Sequence, residues 1–386
     1  MSDTELAGNW NFPTSITAGA GSILELAQCC IDQGMRSPLI VTDPGLAALP
    51  MIDAALNQCR DAGLLIDVFS KVKSNPSGEN VADGVVAYRA GGHDGLIAFG
   101  GGSAIDACKA IALMVGQSGV LWDYEDSWQE LDPDSVATLI AVPTTAGTGS
   151  EVGRAALVTD EQRRVKKIVF HPKLLPSKVI LDPELTRGLP ASITAATGMD
   201  ALSHNLEAFC SPVYHPMAEG VAVEGIRLVK EYLPRAVADG DDMTARMQMI
   251  VASSMGATAF QKGLGAMHAL AHPLGALYDA HHGLLNAILM PYVLVANREE
   301  IEGRIQRLAR YLDLPQASFG GFLAWVLSLR EEVGIPHNLH AIGIDLEQQI
   351  LVGEMAAEDP TAQTNPVSFT AGQYSELFCQ AVSGEL

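Results

Sequence analysis

Gly95-Leu-Ile-Ala-Phe99 is a short, wholly apolar run. Gly100-Gly101-Gly102-Ser103 follows it without a break, and Ala104-Ile-Asp-Ala-Cys-Lys-Ala-Ile-Ala-Leu-Met-Val115 follows that. The first segment reads as a buried strand, the last as a helix, and the glycines as the tight turn between them. Consecutive glycines let the backbone approach a phosphate closely. The helix N-terminus adds free N–H groups and the positive end of a dipole. Gly100, Gly101, Gly102 and Ser103 are therefore candidate diphosphate contacts, although their spacing is not the GxGxxG fingerprint of dinucleotide-binding domains.

The same alternation extends on both sides. Pro38-Leu-Ile-Val-Thr-Asp43, Leu64-Leu-Ile-Asp-Val-Phe69 and Ala137-Thr-Leu-Ile-Ala-Val142 read as further strands. Helical patterns lie between them at Ile52–Ala62 and Glu79–Ala90. Strands alternating with helices predict a parallel, doubly wound sheet. Two more turns carry chemistry. Pro143-Thr144-Thr145-Ala-Gly-Thr148-Gly-Ser-Glu151 is dense in hydroxyls and glycines, which can donate hydrogen bonds to phosphate or ribose oxygens. Asp43 ends the first strand, where a carboxylate can accept from adenosine ribose hydroxyls and repel a 2′-phosphate.

From about Pro190 the pattern changes to long helical periodicities, such as Ile193–Phe209, Ala218–Leu233, Thr244–Lys262 and Leu284–Ala296. The expected organisation is an α/β domain over 1–189 and an all-helical domain over 190–386, packed with a ligand cleft between them. Two domains suit 386 residues, and 48% hydrophobic content suits a buried core. A net charge of -21 argues against nucleic acid as a partner. The first fifteen residues lack the basic and apolar regions of a signal peptide, and Leu284–Ala296 is too short to span a bilayer. The six scattered cysteines form no CxxC pair and no disulfide framework. Together these features predict a cytoplasmic protein that engages no membrane.

The helical half holds a second constellation. Asp200 and His204 stand four residues apart, on one face of a helix. His268 and His272 repeat that spacing, and Pro273 predicts that their helix ends or kinks at His272. His281-His282-Gly283 precedes another helix. Five histidines and one aspartate in this pattern suit a divalent metal, and imidazoles with one carboxylate suit Fe(II), Zn(II), Co(II) or Ni(II) better than Mg(II) or Ca(II).

These motifs together resemble the iron-containing (group III) alcohol dehydrogenase family. The resemblance runs over nearly the whole chain, from Thr42-Asp43 through Gly100–Ser103, Pro143–Val152 and Gly198–His204 to Gly263–Gly283. Its most specific segment is His268-Ala-Leu-Ala-His272-Pro-Leu-Gly275. It implies a dehydroquinate synthase-like fold, with an N-terminal dinucleotide-binding α/β domain and a helical C-terminal domain. It implies NAD(P) in the cleft and a metal held by Asp200, His204, His268 and His282, with His272 near the substrate and off the metal. It also implies that the glycine turn and Thr144-Thr145 hold the cofactor, with Asn75, Asp106 and Lys166 at other cofactor-contacting positions. Family members are usually dimers or larger, so a homodimer or larger homo-oligomer is expected. Two departures stand out. Gly153 occupies a position where some relatives carry a cofactor-touching hydroxyl, and His281 precedes the last ligand where many relatives carry another residue, often Pro.

The expected activity is NAD-dependent interconversion of a small alcohol with its aldehyde or ketone. The metal acts as a Lewis acid on the alcohol oxygen and needs no redox change. His272, one turn after His268, is the candidate proton carrier. Four protein ligands saturate a tetrahedral ion, which favours Fe(II), with room for more ligands, over Zn(II). A hydroxy acid such as 4-hydroxybutyrate is the alternative substrate. A dehydroquinate synthase-type lyase would need basic residues to hold an anionic substrate, and none cluster near the histidines. An inactive filament-forming subunit would have no use for an unbroken ligand set.

Overall fold

A computed structural model of the chain describes residues 11–12, 14–124, 131–163 and 165–386. The chain divides into two compact units, Phe12–Gly188 and Leu189–Leu386. Asn11 belongs with the second, where its N–H donates to Gln261 Oε1 (2.8 Å).

The first unit is wound on a parallel sheet. Its strands are β1 (Ser15–Ala18), β2 (Pro38–Val41), β3 (Asp67–Phe69), β4 (Gly95–Gly100), β5 (Leu139–Pro143) and, after a hairpin of β6 (Ala155–Asp160) and β7 (Val165–Phe170), β8 (Lys178–Leu181). Helices α1 (Leu26–Asp32), α2 (Pro44–Ala47), α3 (Pro50–Asp61), α4 (Gly78–Gly91) and α5 (Gly102–Met114) lie between strands. The order across the sheet is β1-β8-β5-β4-β2-β3, every pairing parallel. β2, β4 and β5 are buried along their whole length. Strands covered on both faces appear as continuous apolar runs, which makes these three readable from sequence.

The winding reverses between β2 and β4: the chain leaves β2 for β3 on one side and returns to β4 on the other. Ligands of such sheets bind at the carboxyl ends of strands beside that reversal. Asp43 follows β2, the Gly100–Ser103 turn closes β4, and Thr144–Thr148 follows neighbouring β5, with Gly100 in register with Pro143.

The structure narrows one expected strand. Of Leu64–Phe69 only β3 pairs, because β2 offers partners from Leu39 to Val41 alone. Leu64 and Ile66 are buried all the same, as loop side chains in the core.

The second unit holds helices and turns, with no strand among its described residues. Its helices are α6 (Ala191–Cys210), α7 (Pro216–Ala238), α8 (Met243–Ala259), α9 (Ala266–Tyr278), α10 (His282–Ala296), α11 (Arg298–Tyr311), α12 (Phe319–Glu332), α13 (Gln349–Glu358) and α14 (Ala371–Ser383). α6 is buried on all sides from Thr194 to Cys210, the signature of a core helix. It packs against α7, α8 and α10. Asn205 staples it to α8, donating from Nδ2 to Ala252 O (3.0 Å) as well as to Ala201 O (2.8 Å). α8 stops at Ala259, and Phe260–Lys262 continues as a tighter 3₁₀ turn.

Pro273 does not end its helix. α9 runs through it to Tyr278 and stops at Asp279, which takes a left-handed conformation (φ 51°). A mid-helix proline removes one backbone hydrogen bond and costs about 3 kcal/mol in an isolated helix. Here every residue from Ala266 to Gly275 is buried, so packing offsets that loss. No helix among the described residues is long and apolar enough to cross a membrane. The six cysteines form no disulfide, and five are buried.

Candidate functional site

In the first unit, Gly101 caps α5 without a side-chain hydrogen bond, leaving the N–H groups of its first turn without a side-chain acceptor at the N-cap. The hydroxyl loop folds onto this turn. A Cβ on Gly102 would stand 2.5 Å from Thr148 Cγ2, so only glycine admits the loop there. Thr144 N–H donates to Gly100 O (3.0 Å), and Ser103 Oγ donates to Ser74 O (2.5 Å), which brings the segment with Asn75 beside the start of α5. Gly100, Gly101, Gly102, Ser103, Asn75, Thr144, Thr145 and Thr148 thus come together around one helix N-terminus.

Other nucleotide candidates have structural duties. Asp43 caps α2, its Oδ1 accepting from Gly45 N–H (2.8 Å) and Leu46 N–H (3.0 Å). Asp106 engages both oxygens inside the unit, with Ser150 Oγ (2.5 Å) and Leu157 N–H (3.0 Å). Burial raises its carboxyl above the usual range, against the pull of Lys109. Lys109 is itself fully buried, donating to Ser150 O, Ser150 Oγ and Ala155 O, and burial pushes its ammonium down to about 8. The Asp106–Lys109 pair therefore clamps the hydroxyl loop and β6 to α5. Lys166 lies on β7, opposite Thr159.

In the helical unit, Asp200 and His204 project from α6, His268 from α9 and His282 from the first residue of α10. One ligand atom from each lies within 4.8 Å of the others. The adjacent histidines part in space: His282 joins this cluster, while His281 caps α10 by accepting Leu284 N–H at Nδ1 (3.3 Å).

Asp200, His204 and His268 are buried. Burial pushes the His268 imidazole well below its ordinary range, the direction that favours the neutral ring a metal ligand needs. His204 Nδ1 is buried with no hydrogen-bond partner among the described residues, a costly state for a ring nitrogen with only protein around it. Three imidazoles and a carboxylate converging in this way fit a divalent transition metal.

His272 stands beside the cluster. Its ring stacks on that of His282, with centroids 5.6 Å apart and planes at 13°, and its Nδ1 meets Asp359 Oδ2 at 2.7 Å. Burial raises the Asp359 carboxyl, but the hydrogen bonds from His272 and Thr361 outweigh it and leave the group below the usual range. Phe260 lies against His204, ring centroids 5.3 Å apart.

Three neighbours were not foreseen. Asn286 Nδ2 donates to Asp200 Oδ1 (2.9 Å) and lies 3.2 Å from the Nε2 atoms of His268 and His282. Glu207 Oε2 contacts His268 Nδ1 (2.6 Å). Burial pushes the Glu207 carboxyl up to about 7, against the N–H donors of Met267 and Gly265. Asp359 is the third. Glu207 and Asn286 had a signal, lying one helical turn beyond His204 and His282. Asp359, 87 residues from its partner, had none.

The model of the iron-containing alcohol dehydrogenases matches residues 13–183, and that of the family's C-terminal domain matches 194–382. The chain belongs to the iron-containing alcohol dehydrogenase family. It is an oxidoreductase acting on CH–OH groups, with the parallel-sheet and helical units of that family. A 4-hydroxybutyrate dehydrogenase of Cupriavidus necator is 39% identical, over 96% of this chain and 98% of that protein. An NAD-dependent methanol dehydrogenase of Bacillus methanolicus is 33% identical, over 97% and 100%. The crystal structure of a 1,3-propanediol oxidoreductase superposes with a TM-score of 0.93 at 34% identity, covering 97% of this chain and all of that one.

Proposed function

We propose that the chain oxidises a small neutral alcohol, or reduces its aldehyde or ketone, with NAD and with Fe(II) held by Asp200, His204, His268 and His282. The observation that carries this reading is the convergence of those four donors within 4.8 Å beside His272. When bound, the metal supplies Lewis acidity that lowers the pKa of an alcohol, and the nicotinamide supplies the hydride acceptor. Asp200 and the three imidazoles hold the ion. An ion that accepts five or six ligands would keep room for substrate beside these four, which is the ground for Fe(II). His272 receives the alcohol proton at Nε2, and Asp359 holds its Nδ1–H, fixing the tautomer. The N-terminus of α5 and the turns around it take the cofactor's diphosphate.

The side chains that contact the histidine cluster among the described residues include no lysine or arginine, which favours a neutral substrate over a hydroxy acid, and the charge of Lys262 is engaged elsewhere. Lys262 is the basic side chain two residues beyond Phe260, yet it is fully buried. Its Nζ donates to Phe209 O (3.2 Å) and Ser211 O (2.6 Å) and pairs with Glu219 (3.0 Å). That leaves its charge unavailable to a substrate carboxylate. The name of the Cupriavidus relative favours the second reading, 4-hydroxybutyrate. Assaying NADH formation from short alcohols, diols and 4-hydroxybutyrate with NAD and added Fe(II) tests both. The highest kcat/KM is expected on a neutral alcohol or diol. A clear preference for 4-hydroxybutyrate replaces the first reading with the second, and no NADH from any of them removes both.

Asp43 sets the cofactor in this proposal, since its carboxylate repels a 2′-phosphate. Asp43→Gly should shift the NAD/NADP ratio of kcat/KM toward NADP by at least about tenfold, the factor that about 1.4 kcal/mol of relieved repulsion gives. Glycine is tolerated as a helix N-cap, so α2 should survive the change. An unmodified protein that prefers NADP would contradict the role given to Asp43.

A further inference from the structure

Glu207 is a carboxylate in a place where carboxylates are costly. It is 5% exposed, on a core helix, three residues after His204 and seven after Asp200, hence on their face of α6. Two backbone N–H donors and one ring nitrogen from the start of α9 converge on it. Oε1 accepts Met267 N–H (2.7 Å), and Oε2 accepts Gly265 N–H (2.8 Å) and faces His268 Nδ1 (2.6 Å). Gly265 is the N-cap of α9 and has no side chain to cap with. A Cβ there would stand 2.7 Å from Asn365 Oδ1 and 3.0 Å from Glu207 Oε1, so the glycine makes room for both side chains that hold the start of α9.

We propose that Glu207 is the positioning residue of the metal centre: it holds His268 as the Nδ1–H tautomer, so that Nε2 is the nitrogen turned to the metal, and it ties the first turn of α9 to α6. The inference rests on the reading of the four-residue cluster as a metal site. A histidine ligand that donates its other N–H to a carboxylate is fixed in tautomer and ring plane and binds its metal more strongly. The arrangement does this between helices. Asp200 and His204 come with α6 and His268 with α9, and the single carboxylate engages both the backbone that starts α9 and the ring that α9 carries.

Asn365 provides the contrast. Its Oδ1 accepts Ala266 N–H (3.0 Å), anchoring the same helix start, and among the described residues it bonds Asn297 and Val367 besides, with no imidazole. A residue acting only as an anchor for α9 should behave as Asn365 does. Glutamine at 207 keeps the size and one acceptor. It cannot accept on both sides: one orientation sets its amide N–H against Met267 N–H, the other against Gly265 N–H and the Nδ1–H tautomer of His268.

The test uses full-length protein and Co²⁺ as the probe, with visible absorption reporting ligand geometry and excess chelator reporting release. Glu207→Gln should weaken Co²⁺ binding by about 10–100-fold and alter the spectrum. Asn365→Ser should leave both close to the unmodified protein. Wild-type affinity and spectrum in Glu207→Gln would overturn the proposal, as would an equal loss in Asn365→Ser. Should Glu207→Gln fail to fold, the unmodified Zn²⁺-loaded protein decides, through ¹⁵N-histidine spectra. His268 must carry its proton on Nδ1, and coordination through Nδ1 refutes the assignment. An unmodified protein that binds no Co²⁺ at all would show that the metal-site reading has failed, a result distinct from either of these.

Discussion

His272→Ala is expected to keep its metal and its nucleotide yet turn over about 10²–10⁴-fold more slowly, the usual contribution of a positioned general acid or base. His268→Ala, one helical turn earlier, is expected to lose most of its metal. The two side chains share a helix and lie 6.0 Å apart by ring centroid, but their surroundings differ. His268 is buried between Glu207 and the other donors of the cluster, whereas His272 turns its Nδ1 to Asp359, itself held by Thr361 N–H (2.8 Å) and Thr361 Oγ1 (2.6 Å). In the proposed function this dyad moves a proton without holding an ion. Loss of the imidazole should therefore lower kcat and kcat/KM together and change the pH–rate profile. Elemental analysis and pH–rate profiles of both variants check this. A His272→Ala protein as metal-poor as His268→Ala would make His272 a ligand, and one with unchanged rate would leave it no part in the reaction.

How far the site can be read from the amino acids depends on whether partners share a helix. Asp200 and His204 lie four apart on α6, and the same periodicity reaches Glu207 and, from His282, Asn286. Asp359 reaches His272 only because α13 ends beside α9, and no local pattern carries that information. The sheet divides in the same way. β2, β4 and β5 are unbroken apolar runs because both faces are covered. β1 is largely exposed, and β8 is four residues long. β6 alternates in burial, yet its Ala155-Ala-Leu-Val-Thr-Asp160 places apolar residues on both faces, which hides the alternation. Pro273 shows the converse. The local rule ends or kinks a helix there, and with the surrounding turn buried the helix continues. Asp43 and Asp106 are a third case, since each engages backbone or side-chain donors of its own unit.

Removal of the metal tests the whole account at once. Without the ion, Asp200 and three imidazoles supply no Lewis acid, and no other cation among the residues placed at this site can lower the pKa of an alcohol. Protein shown metal-free by elemental analysis should therefore have no measurable turnover with NAD and its best alcohol. Activity should return in proportion to Fe(II) added anaerobically, approaching a plateau at one ion per chain. Full turnover in protein shown to be metal-free would contradict the proposed function.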